Sequence, residues 1–255
     1  MLLALDMGNT NITVGVFDGK RLIMESRLAT DHNKMEDSYA IDLCSILALH
    51  GVDVHAIDGA VLSSVVPPLD HRLRGAVRRI TGVSPLQVAP GIKSGVNIRI
   101  DDPAQLGADL LVGAVAALDK YPLPCIIWDL GTATTVSVLD KNGAFCGGAI
   151  LAGISTAMDS LSTKTSLLPR IRLEPPAHAI GRNTVECMQS GAVFGTAALI
   201  DGMSDRFEAE MGSEATVIAT GGLGREIAPC CRHRVVYDEH LLMQGLRILF
   251  EKNRQ

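Results

Sequence analysis

The amino-acid sequence predicts an α/β protein built from two copies of one unit, and three observations carry that expectation. A short apolar run ending in an aspartate, Leu2–Asp6, leads into the turn Met7-Gly8-Asn9-Thr10 and the alternating run Ile12–Phe17. The same order returns 123 positions later as Cys125–Asp129, the turn Leu130-Gly131-Thr132-Ala133, and Thr134–Leu139. The remaining chain alternates strand-like and helix-like segments, the pattern of α/β domains with covered sheets.

Each element has a local reason. Asp18-Gly19 is a hairpin signal that predicts a third strand over Arg21–Leu28, and Asn142-Gly143 does the same before Ala144–Ile150. Tyr39, Leu43, Ile46 and Leu47 recur at helical spacing within Glu36–His50. Gly59–Val66 reads as a buried strand closed by Pro67-Pro68, and Leu69–Ile80 as a basic amphipathic helix with a solvated face. Asp102 and Pro103 form a cap and a first helical residue, predicting one helix from there to about Asp119. Tyr121-Pro122-Leu123-Pro124 reads as the boundary between two domains, 1–120 and 121–255. Beyond it, Ile154–Leu168, Thr184–Met211 and His240–Lys252 read as helices. Ala215–Thr220 reads as a strand running into Gly221-Gly222-Leu223-Gly224.

Composition narrows the function classes. The net charge is −5, and no block of Lys and Arg marks a nucleic-acid footprint. The apolar run Met1–Leu5 ends at Asp6 without a basic flank, unlike a signal peptide. No segment approaches the roughly 18 apolar residues of a membrane span, so the expected location is the cytoplasm. Cys44, Cys125, Cys146, Cys187, Cys230 and Cys231 form no Cys-x-x-Cys pair, and most sit in apolar runs, so they read as reduced core residues.

The repeated turns carry the chemistry. An Asp-x-Gly turn offers backbone N–H groups and small hydroxyls in a concave loop, which suits a polyphosphate. An aspartate beside phosphates needs a cation between the two anions, so Asp6 reads as a carboxylate of a Mg²⁺ site. Asp129, at the same place in the second copy, would hold another cation or water. Thr220-Gly221-Gly222-Leu223-Gly224 after a strand lets a nucleotide approach the backbone. There is no Gly-x-x-x-x-Gly-Lys-Ser/Thr loop and no protein-kinase signature. Asp109 lies among Leu106, Leu110, Leu111 and Val112. It reads either as the wet side of a helix or as a carboxylate that orients an attacking hydroxyl.

Together these segments resemble the type III pantothenate kinases, the Bvg accessory factor-like family of the acetate/sugar kinase–heat-shock chaperone–actin superfamily. The resemblance rests on Asp6-Met7-Gly8-Asn9-Thr10-Asn11, Ser63-Ser64-Val65-Val66-Pro67, Gly107-Ala108-Asp109 and Asp129-Leu130-Gly131-Thr132-Ala133-Thr134-Thr135. Gly147-Gly148, Ile180-Gly181-Arg182-Asn183-Thr184, Gln189-Ser190-Gly191 and Ala219-Thr220-Gly221-Gly222 continue it through nearly the whole chain.

The resemblance implies duplicated ribonuclease H-like (actin-like ATPase) domains with a nucleotide cleft between them. The implied reaction is ATP-dependent phosphorylation of pantothenate to 4'-phosphopantothenate, the first step of coenzyme A biosynthesis. ATP would be bound by Asp6, Met7, Gly8, Asn9, Thr10, Asn11, Ile12, Thr13 and Thr132. Asp109 would be the catalytic base, and Ile100, Gly107, Ala108, Asp109, Leu110 and Thr184 would line the substrate site. Asp6 would reach Mg²⁺ through phosphates or water, and Asp129 would bind K⁺ or NH₄⁺. The resemblance further implies a homodimer with the substrate site near its interface, and no nucleic-acid or membrane partner.

Three positions depart from the family pattern. Leu110 stands where an arginine is usual, Ile100 where a tyrosine is usual, and Ala152 where a proline is usual. A charge-assisted contact is worth roughly 1.5–3 kcal/mol, so the sequence also admits a kinase for another small hydroxylated metabolite. A catalytically silent nucleotide-binding regulatory protein is the third reading. Lys93, Arg99, Lys164 and Arg182 are the candidate substitutes for the missing cation.

Overall fold

A computed structural model describes residues 1–254. The chain divides into two compact units, one of residues 1–95, 102–116 and 242–255, the other of 96–101 and 117–241. A single cut between 120 and 121 lies close to the break at 116/117. It leaves out two exchanges: the C-terminal segment belongs with the first unit, and residues 96–101 with the second.

The first unit carries a five-stranded sheet of β1 (Leu2–Met7), β2 (Asn11–Asp18), β3 (Arg21–Ala29), β4 (Gly59–Ser64) and β5 (Leu86–Gln87). Its order is β3-β2-β1-β4-β5, with β1–β2 and β2–β3 antiparallel and the β1–β4 and β4–β5 pairs parallel. Alternation decides which side is core. Leu3, Leu5, Met7, Ile12, Val14 and Val16 are fully buried on one face, against Tyr39, Leu43 and Leu47 of α1 (Glu36–Leu49). Leu69, Leu73 and Val77 of α2 (Pro67–Thr81) join the same cluster. Pro67 and Pro68 do not close the strand as expected; β4 ends at Ser64 and the prolines start α2. A proline at the first helical turn forfeits no hydrogen bond, which is why the helix opens there. The opposite face is covered at close range by a C-terminal helix: a Cβ at Gly15 would lie 2.7 Å from Met243 Sδ, and one at Gly59 2.3 Å from Phe250 Cζ.

The segment after Asp102 is not one helix. Pro103–Gln105 is a single 3-10 turn capped by Asp102, whose Oδ1 accepts from Ala104 N–H. The chain turns extended at Leu106, and α3 (Ala108–Lys120) begins afresh. Asp109 therefore lies in the first turn of a helix, not in its middle as the sequence suggests.

The second unit repeats the first. Its sheet holds β6 (Asn97–Ile98), β7 (Cys125–Leu130), β8 (Ala133–Leu139), β9 (Ala144–Ala152), β10 (Thr216–Thr220) and β11 (Val235–Tyr237). The order is β11-β10-β7-β8-β9-β6. Matching β7 to β1, β8 to β2, β9 to β3, β10 to β4 and β11 to β5 gives the same neighbours with the same directions, and β6 is an added edge. Burial matches residue by residue: β1 and β7 share one six-residue pattern, and β2 and β8 agree over seven residues. This is the duplicated α/β architecture that the repeated turns imply, in the ribonuclease H-like form that the family resemblance implies. Trp128, Val136, Val193, Ala197 and Ile200 build its core. Two helices follow β9: α4 (Ile154–Lys164) and α5 (Thr184–Met211). The former stops at Lys164, four residues short of the expected end. A short helix α6 (Gly224–Ile227) follows β10, and α7 (Leu241–Asn253) is the helix that covers the first sheet.

The cysteines are free, as expected, but only Cys125 is buried. Cys146 and Cys187 are exposed, and Cys44, Cys230 and Cys231 are half-buried, so the reading of most of them as core residues does not hold. An apolar run in a sheet edge or amphipathic helix still has a wet side. Burial pushes the Cys125 thiol up to about 11 and the Cys231 thiol up to about 12, which leaves both protonated and unreactive near neutral pH.

Candidate active site

Within the first unit, Asp6 ends the apolar part of β1 and is half-buried, while Asn9, Thr10 and Asn11 of the following turn are exposed. The turn is tied down from both sides. Gly8 N–H donates to Asn11 O at 3.0 Å, Thr30 Oγ1 donates to Gly8 O at 2.7 Å, and Thr30 N–H donates to Thr10 O at 2.9 Å. A Cβ at Gly8 would meet Asn11 O at 3.3 Å, so a side chain there would crowd the turn. Two residues of the expected ATP loop, Met7 and Ile12, are fully buried in the core and can offer a ligand only their backbone.

Strand register adds what sequence could not. Asp6 pairs with Thr13 on β2 and with Ser63 on β4. Paired neighbours on adjacent strands point to the same face, so the carboxylate is flanked by hydroxyls. A hard divalent cation that keeps waters and phosphate ligands needs one or two carboxylates and oxygen donors of this kind. The residues present thus fit Mg²⁺.

The second unit holds the parallel arrangement. Asp129 is half-buried and pairs with Thr135 and Thr220, again a hydroxyl on each side. The turn after it is one residue shorter. Thr132 O accepts from Gly153 N–H at 3.2 Å and from Thr156 Oγ1 at 2.7 Å. A Cβ at Gly153 would strike Gly131 O at 2.3 Å and Thr132 O at 2.4 Å, so this glycine is required by close backbone approach. Gly221, at the exit of β10, has φ +86, and its Cβ would lie 2.7 Å from Asp129 Oδ1. The glycine-rich strand exit is therefore packed directly on the second aspartate. Gly153 and Thr156 were not singled out from sequence; their importance is a matter of backbone contact.

Asp109 occupies the start of α3 in the first unit, with Oδ1 accepting from Leu110 N–H at 2.9 Å. Burial raises its carboxyl above the usual carboxylate range, opposed by the N–H groups of Leu110 and Asp109 itself. A carboxylate of raised basicity suits a proton acceptor. A Cβ at Gly107 would come within 2.6 Å of Asp109 Oδ1, which explains the glycine two residues before it. Ala108 and Leu110 flank Asp109 and are both half-buried.

The other expected substrate residues lie in the second unit. Ile100 is half-buried, 3.9 Å from where a Cβ of Gly147 would be. Thr184 is exposed at the first turn of α5, just after Asn183, whose side chain caps the helix by accepting from Glu186 N–H at 2.9 Å. Of the candidate cations, Arg99 is ion-paired with Asp140 at 3.4 Å, and Lys93, Lys164 and Arg182 are exposed.

Among the described residues one further cluster has metal-capable side chains, Asp205, Glu208 and His233. Its bonds are structural. His233 Nε2 and Asp205 Oδ1 are 2.7 Å apart, and buried Asp201 accepts the N–H groups of Arg232 and His233 at 2.9–3.0 Å. These contacts fasten the segment before β11 to α5. No described helix is long and apolar enough to cross a membrane.

Comparison with known proteins agrees with this geometry. A family model described as type III pantothenate kinase matches residues 2–206. The type III pantothenate kinase of Moorella thermoacetica is 43% identical over 255 residues, covering 99% of this chain and 100% of the relative. That of Geobacter sulfurreducens is 42% identical over 255 residues, with complete coverage of both. Among solved structures, a ROK family glucokinase from Streptomyces griseus, in complex with glucose and AMPPNP, aligns with a TM-score of 0.52 at 13% identity. The alignment covers 98% of each chain, and at that identity the likeness concerns the fold. The match over the whole length places this chain in the type III pantothenate kinase family.

Proposed function

We propose that the chain is an ATP-dependent pantothenate kinase that forms 4'-phosphopantothenate, the first step of coenzyme A biosynthesis. The observation that carries this is an equivalent aspartate turn in each unit together with a half-buried, more basic Asp109 at a helix start, in a chain that matches pantothenate kinases along its full length.

Asp109 accepts the proton of the primary hydroxyl of pantothenate as its oxygen bonds to the γ-phosphorus. The bond from that phosphorus to the β–γ bridging oxygen breaks, and ADP leaves with the electron pair. Phosphoryl transfer of this kind asks the protein for position and charge compensation more than for covalent chemistry. The exposed turn Asn9-Thr10-Asn11 and Thr132 supply N–H and hydroxyl donors to phosphate oxygens, and Asp6 orients the cation. Mg²⁺, when bound, neutralises the charge that develops on the phosphates. Asp129 holds a monovalent cation, K⁺ or NH₄⁺. Thr184 contacts the pantothenate near a homodimer interface. Exposed Ile180 and Val185, which bracket Thr184 in sequence, support that reading. The enzyme acts in the cytoplasm on a small-molecule substrate.

Leu110 and Ile100 favour one competing reading, a kinase for a less acidic hydroxylated metabolite. A coupled ADP-release assay with ATP, Mg²⁺ and K⁺ separates the two. Turnover on pantothenate, reduced about 10²–10⁴-fold in Asp109→Asn, is expected. Inactivity on pantothenate with turnover of a neutral polyol would transfer the assignment to the alternative.

A further inference from the structure

Two serines end β4 side by side, and among the described residues only one has a hydrogen-bond partner for its hydroxyl. Ser64 Oγ donates to Asp70 Oδ1 at 2.5 Å and accepts from Val66 N–H at 3.0 Å, while Gln87 Nε2 holds the other Asp70 oxygen at 2.6 Å. Ser64 is thus part of the hinge between β4 and α2. Ser63 is fully buried, and its Oγ has no hydrogen-bond partner among the described residues. Burying such a hydroxyl without a partner destabilises the folded state, and native structures leave few of them unpaired.

Its position says what it is for. The parallel register sets Ser63 directly beside Asp6, at the strand spacing of about 4.8 Å and on the same face. The preceding partners on that face are Leu2 with Gly59 and Ala4 with Val61, so the hydroxyl appears only where the aspartate does. The second unit also sets a buried hydroxyl beside its aspartate, and there Thr216 carries a second hydroxyl on the same face. Thr220, also buried, pairs with Asp129, after Cys125 with Thr216 and Ile127 with Ile218. Packing alone would accept Ala or Val at Ser63, as the neighbouring positions do.

Resting on the reading of Asp6 as the Mg²⁺-orienting carboxylate, we propose that Ser63 is a positioning residue for Mg²⁺·ATP. Its hydroxyl donates to the Asp6 carboxylate when nucleotide and cation are bound and holds that carboxylate towards the cation.

The test is thermal unfolding and nucleotide titration of the full chain, with ATP in Mg²⁺ or in EDTA, for wild type, Ser63→Ala, Asp6→Asn and the double variant. Without ligand, Ser63→Ala is expected to unfold at the wild-type temperature or above it, because it removes an unpaired buried hydroxyl. Its affinity for Mg²⁺·ATP falls about tenfold, its affinity for ATP in EDTA is unchanged, and in the Asp6→Asn background the substitution adds no further loss. A lower ligand-free melting temperature with a full Mg²⁺-dependent gain makes Ser63 a packing residue and overturns the inference. If wild type shows no Mg²⁺-dependent gain, or Asp6→Asn keeps it, the reading of Asp6 itself fails. If those two behave as expected and Ser63→Ala keeps the gain, only the Ser63 inference fails.

Discussion

Replacing Gly221 with alanine attacks the second aspartate through the backbone. At φ +86 the residue is in the left-handed region, where an L side chain costs roughly 1–2 kcal/mol. The new Cβ would also lie 2.7 Å from Asp129 Oδ1 and 2.8 Å from both N and C of Leu130. Those backbone atoms belong to β7, paired with β8 on one side and β10 on the other, so they cannot withdraw. Overpacking of that kind adds about 1–3 kcal/mol. The total, roughly 2–5 kcal/mol, is a large part of the ~5–15 kcal/mol that holds a domain folded. At about 2–4 °C per kcal/mol for a chain of this size, the melting temperature should fall by roughly 4–20 °C. Part of the strain can be relieved by moving the Asp129 carboxylate, so the K⁺ activation proposed for Asp129 should weaken in the surviving folded protein. Calorimetry or fluorescence-monitored unfolding, with kinase rates at a series of K⁺ concentrations, measures both. A melting temperature within 2 °C of wild type, with unchanged K⁺ dependence, would refute the argument.

Gly195→Ala is the matched opposite. Apart from its own helix backbone, no described atom lies within 4 Å of its Cβ, and it sits inside α5, so stability should rise by about 0.5–1 kcal/mol in urea unfolding. Leu110→Arg places a cation beside Asp109 at a half-buried position. The KM for pantothenate should drop about tenfold with the KM for ATP unchanged in steady-state kinetics. Asp109 carries a pH signature with a definite sign. Because burial raises its folded pKa, the neutral acid favours the folded state, fully below the unfolded value of 3.8 and progressively less as pH rises through the folded pKa. Asp109→Asn should therefore be more stable than wild type at pH 7 while losing turnover, and the stability difference should vanish at acid pH in urea unfolding followed across pH.

Much of this architecture could be read from one dimension because its signals are local. Gly8 and Gly131 after aspartates, Asp18-Gly19 and Asn142-Gly143 at hairpins, and alternating apolar residues in β1, β2, β7 and β8 act within a few residues. The order of motifs carried the family. What resisted was of two kinds. Short elements such as β5, β6 and β11 form only because a neighbouring strand presents its edge, and no periodicity fits into two or three residues. The break at Leu106 was hidden because Pro103–Gln105 and α3 both look helical in sequence, and only packing separates them.

The sequence by itself determined the repeated unit, with an aspartate turn in each copy, and the family, because each depends on residue type and spacing along the chain. Tertiary structure alone decided that α7 joins the first unit, where Gly15 and Gly59 admit Met243 and Phe250. It also decided that Asp6 is flanked by Thr13 and Ser63, and Asp129 by Thr135 and Thr220. Those neighbours are brought together by strand register, set by which face of each sheet is buried, and Ser63 lies 57 positions along the chain from the carboxylate it accompanies.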